Sequence, residues 1–158
     1  MKRAQFRLEK YVDLTSFAQL LSLPKGVVTV GVGIVSLTIF ILLVRAWWGY
    51  LGQDSHCNRA AWASALVWTP ILAPQCAIYD SALAVAAFVL IASVHPLAVP
   101  TRDTESESEF TMWATLTYCS AFLTGIVAVL LSVQLLTVVL FGAGLWMLRV
   151  TNACRTQG

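Results

Sequence analysis

The run from Met112 to Leu148, MWATLTYCSAFLTGIVAVLLSVQLLTVVLFGAGLWML, is 37 residues long and carries no charged side chain. One bilayer crossing uses only about 20 apolar residues. The run therefore crosses twice as a hairpin, or it forms a single helix that overshoots the hydrocarbon and is covered by other protein. As one straight helix it measures about 55 Å at about 1.5 Å per residue, against a hydrocarbon core about 30 Å thick.

Composition agrees that the solvent is lipid. Of 158 residues, 58% are hydrophobic and 11% are charged. Soluble domains carry about 25% charged residues, and a water-soluble fold of this length would lack polar surface to cover itself. The sequence thus predicts an all-α integral membrane protein, with room for one helical bundle. The net charge of +2 comes with no basic stripe interleaved with aromatics, so no nucleic acid is expected as a partner.

Four apolar stretches are read as spans, at about 26–48, 60–73, 81–99 and 112–148, within a range of three to five crossings. Residues 1–25 precede them as an amphipathic interfacial segment. Tyr11, Leu14, Phe17, Ala18 and Leu21 share one helical face there, while Asp13, Ser16 and Gln19 lie elsewhere. Pro24 turns the chain into the first span. Residues 101–110 form an acidic loop holding Asp103, Glu105, Glu107 and Glu109, and 150–158 is a short C-terminal tail.

Charge placement selects among the span counts. Lys2, Arg3, Arg7, Lys10 and Lys25 flank the first span, and Arg149 and Arg155 follow the last. The positive-inside rule then puts both ends on one side, which needs an even number of crossings. Four spans meet this if 112–148 crosses once. Interfacial residues are assigned accordingly: Arg45, Trp47, Trp48, Tyr50, Trp62 and Trp113 at the far interface, Trp146 and Arg149 at the near one.

Inside the long run, Ser120, Thr124, Ala128 and Ser132 recur every four residues, with Ala121 and Gly125 beside them. Such small residues let helices approach closely. Ala121, Gly125, Ala128 and Ser132 are the expected packing face. Gln134, the one amide of the run, either bonds across to a neighbouring helix or marks a hairpin apex.

Chemistry-bearing groups are sparse. His56 and His95 are the candidate cofactor ligands, since two histidines on neighbouring elements can hold a haem. One lies in a loop and the other precedes Pro96, which suits an interfacial role better. Asp80 is read as a turn residue. No catalytic set and no metal site is found, and no cofactor is expected beyond bound structural lipids. Cys57, Cys76, Cys119 and Cys154 are spaced singly, so they are read as packing residues rather than a disulfide framework, with Cys154 a palmitoylation candidate.

These features predict a non-enzymatic accessory subunit of a larger membrane complex, such as a respiratory or other energy-converting assembly. Its partners would be other membrane subunits and lipids. The alternative is a free-standing four-span organiser or trafficking protein, and a small transporter or channel ranks below both. The basic start and the lack of an N-x-S/T sequon favour the mitochondrial inner membrane over the endoplasmic reticulum.

Overall fold

The computed structural model describes residues 13–48, 55–73, 82–93, 104–131 and 133–157, and all of their regular structure is helical. Among the described residues the helices are, in order, α1 Leu14–Leu20, α2 Lys25–Trp48, α3 Ser55–Leu72, α4 Ala82–Ala92, α5 Thr104–Leu131 and α6 Leu135–Gln157. Among the described residues, three stretches are long and apolar enough to cross a membrane: Lys25–Trp48, Ser108–Leu131 and Leu135–Cys154.

The 37-residue run is two helices, which corrects the single span 112–148. Helix α5 ends at Leu131 and α6 begins at Leu135. Cross-helix contacts then pair Thr124 with Leu136, Trp113 with Gly142 and Glu109 with Trp146. One number rises as the other falls, so the helices run antiparallel. Gln134 sits at the apex, 1% exposed, and its Oε1 accepts from the Thr137 hydroxyl at 3.0 Å. The Leu136 N–H donates to Thr124 Oγ1 at 3.3 Å, which gives a partner to a first-turn amide that has none within its own helix. The turn closes because local side chains satisfy the backbone that the break exposes.

Helix α3 starts five residues before the expected span 60–73, so part of the stretch read as a polar loop is helix. Pro70 lies within its last turn, where it removes one i→i−4 hydrogen bond shortly before the helix ends. The segment of 81–99 that is described is the 11-residue helix α4, about 16 Å long.

Helices α3 and α6 form the centre. Ala60, Ala61, Ala63, Val67, Trp68 and Ile71 of α3 meet Leu136, Leu140, Ala143 and Met147 of α6 in one buried cluster, which Ala84, Ala87, Phe88 and Ile91 of α4 complete. The pairs Ser64–Thr151 and Trp68–Phe141 set α3 and α6 antiparallel. Trp47 near the end of α2 meets Trp62 near the start of α3. The end of α6 therefore lies level with the end of α2, opposite Lys25. This corrects the expectation that both ends share one side.

Burial runs against apolarity. Of the most apolar 18-residue stretch in each helix, 11% is buried in α2, 22% in α5 and 61% in α6. Val30, Ile34, Leu37, Phe40 and Ile41 of α2 are all exposed, as are Phe122, Ile126, Val129 and Leu130 of α5. Water would not tolerate such helices, whereas lipid tails solvate them without cost. The chain is a membrane protein, and of its three span-length stretches the most apolar is the least buried.

Candidate functional site

Helix α6 organises the interior through two glycines two residues apart. A Cβ built on Gly144 would lie 2.6 Å from Cε2 and 2.7 Å from Cζ2 of Trp68 on α3. One built on Gly142 would lie 2.7 Å from Cζ3 of Trp113 on α5. Positions two apart are about 200° apart around a helix with 3.6 residues per turn. The Gly142-x-Gly144 segment is thus clamped between indoles from opposite sides. Phe141 meets the Trp68 ring edge-on at 5.1 Å.

Apart from Asp13 and the indoles, the buried polar side chains among the described residues are hydroxyls and the Gln134 amide. Thr151 is fully buried, donates to the Met147 carbonyl at 2.7 Å and lies 3.0 Å from the Ser64 hydroxyl. Ser120 donates to the Thr117 carbonyl at 3.0 Å. Two buried polar atoms, Trp68 Nε1 and Thr117 Oγ1, have no hydrogen-bond partner among the described residues. Trp146 Nε1 donates to Glu109 Oε2 at 3.0 Å, and Phe110 bridges Trp146 and Phe88, with ring centroids 6.2 and 6.0 Å apart. This joins α4, α5 and α6 at one end. Among the described residues, no group of three or more His, Cys, Asp and Glu is placed to hold a metal ion.

The expected interfacial residues divide. Arg45, Trp48, Trp62 and Arg149 are exposed, and Trp47 stacks edge-on with Trp62 at 4.9 Å. Trp113 and Trp146 do not sit at opposite interfaces. They pack within the hairpin only about a turn apart in height, against Gly142 and beside Glu109, because folding the run in half brings its two ends together. Tyr50 and His95, with the side chain of His56, lie outside the described residues.

On the expected packing face, Ala128 is buried and Ala121 half-buried, with Ser120 and Thr124 buried alongside. Gly125 points into open space, its Cβ position having nothing within 4 Å. Ser132 is outside the described residues. Cys119 is a free, exposed thiol, but Cys154 is buried and disulfide-bonded. That overturns its reading as a free tail cysteine open to palmitoylation.

Sequence reasoning missed a groove between α1 and α2. Asp13 caps α1, accepting from the Ser16 N–H and hydroxyl at 2.8 Å each, and both residues are buried. They were expected on the polar face and instead turn inward, where each supplies the other's bonds. Ser22 adopts φ 56°, the left-handed conformation that helix ends use, and α1 folds back along α2. Between them lies a partly open groove of about 810 Å³, lined by Thr15, Gln19, Leu23, Lys25, Val28, Thr29, Val32 and Gly33. The signal was present in the sequence as Lys25, Val28 or Thr29, and Val32 or Gly33, which recur along one face of α2.

No protein-family model, no curated protein and no solved structure matches this chain.

Proposed function

We propose that the chain is a non-catalytic, multi-pass subunit of a larger membrane assembly, working through helix contacts and bound lipid. One observation carries the reading. The buried polar groups with partners are bonded helix to helix or within a turn, as in Ser64–Thr151, Thr124–Leu136 and Gln134–Thr137. The outer faces of α2 and α5 are then what the molecule presents, and they offer contact area rather than reactive groups. On α5 that face includes Gly125 in open space, where another helix can approach closely.

The disulfide at Cys154 supports an orientation. Disulfides persist in oxidising compartments, so the end of the bundle that holds the α6 terminus faces one, and the Lys25 end faces the reducing side. Charge does not decide this. Five of the ten Lys and Arg residues precede α2's second residue and five follow it from Arg45 onward. The basic residues of 1–25 are what favours the mitochondrial inner membrane over the endoplasmic reticulum.

Gentle-detergent extraction and native electrophoresis test the assignment. The chain is expected in a particle far larger than its own 17.2 kDa, alongside unrelated polypeptides. Gly125→Leu should release it from that particle without weakening the isolated chain. Migration of the native chain as a monomer or homodimer would instead favour the free-standing organiser.

A further inference from the structure

Lys25 is the first residue of α2, and the groove beside it is lined by polar Thr15, Gln19, Lys25 and Thr29 and by apolar Leu23, Val28, Val32 and Gly33. Its volume of about 810 Å³ falls within the roughly 300–1,000 Å³ of small-molecule sites. The lining residues of α2 run from Lys25 to Gly33, about 12 Å along the helix. That is a path from headgroup depth into hydrocarbon. Lys25 is exposed, and Lys2, Arg3, Arg7 and Lys10 precede it in sequence. The Lys25 charge in the lining selects an anionic occupant.

We propose that this groove holds one anionic phospholipid, its phosphate at Lys25 with the Gln19 side chain nearby, and one acyl chain along Val28, Val32 and Gly33. A zwitterionic lipid presents no net charge to Lys25, and a soluble phosphate leaves the apolar lining wet. The proposal rests on the membrane location of α2 and not on membership of a larger assembly, so the particle-size test can fail while this one succeeds.

Gly33 and Gly31 provide a matched pair. Neither has anything within 4 Å of its Cβ position, but only Gly33 lines the groove. The full chain is placed in nanodiscs containing equal phosphatidylcholine and phosphatidylglycerol, released gently, and analysed by native mass spectrometry. One retained phosphatidylglycerol per chain is expected. Lys25→Gln should weaken its retention roughly fivefold, the share of one cation near an anionic surface. Gly33→Phe should abolish it and Gly31→Phe should leave it unchanged. Excess glycerophosphate should not displace the lipid, because the acyl chain is part of what binds. Retention of both lipids alike, equal effects of the two phenylalanines, or displacement by glycerophosphate overturns the proposal, the last by revealing a soluble-phosphate site.

Discussion

Gly144→Ala is a severe test of the interior, because a single methyl group has nowhere to go. Its carbon would stand 2.6 Å from Trp68 Cε2, about 0.8 Å inside the 3.4 Å at which ordinary contact begins. Trp68 is fully buried and its ring meets Phe141 edge-on. The indole is a rigid plate, so relief requires α3 and α6 to separate. Overpacking of this kind costs about 1–3 kcal/mol. Against it, alanine gains up to about 1 kcal/mol over glycine within a helix.

Gly125→Ala isolates the first effect from the second. It carries the same change in helix propensity at a position with open space around the new carbon. The difference between the two variants is therefore the overpacking term alone, about 1–3 kcal/mol. Reversible unfolding in mixed micelles, followed by circular dichroism as SDS fraction rises, measures both midpoints. Gly144→Ala should unfold earlier than the native chain and Gly125→Ala no earlier. In a Trp68→Leu background the gap should shrink, since contacting residues couple while distant ones add. Equal midpoints for the two alanines would falsify the indole–glycine clamp.

Two further outcomes follow from the same packing. Thr151→Val keeps the shape of the side chain but removes its bonds to Ser64 and the Met147 carbonyl, and should cost about 0.6 kcal/mol and no more than about 1.7 kcal/mol in the same unfolding assay, the average and the maximum for hydrogen bonds between membrane helices. Gln19→Cys and Asn152→Cys, both at exposed positions, should react with an impermeant thiol reagent from opposite faces of sealed vesicles; labelling from one face would restore an even number of crossings.

Much of the fold was legible because composition alone forces helices upon a chain in lipid. The hairpin was legible only as an ambiguity. Length showed that 37 residues exceed one crossing, and Gln134 was marked as a possible apex, but Arg149 and Arg155 argued for a single pass. Those cations proved a poor guide, since the α3 start and the α6 end lie together and carry the charges of both. The clamp on α6 was hidden for a different reason. Gly142 and Gly144 read as unremarkable within an apolar helix, because nothing local shows which of six tryptophans will lie across a glycine. The groove escaped notice because it depends on Ser22 adopting a left-handed turn, a conformation uncommon for serine.

The case of α3 shows what hydropathy measures. Its polar start, with His56, Asn58 and Arg59, reads as a loop ahead of a span at 60–73. The helix nevertheless begins at Ser55, and of all the helices it is among the most deeply packed, lying against α2, α4 and α6. A helix that touches lipid must be apolar on every lipid-facing side, and α2 obeys that demand around almost its whole circumference. A helix surrounded by other helices answers to them instead. Alanines at 60, 61 and 63 let neighbours come close, and Ser64 finds Thr151 rather than hydrocarbon. The span-length apolar runs of α2 and α5 therefore locate the surface of the bundle, while small and hydroxyl-bearing residues interrupt α3 at its centre.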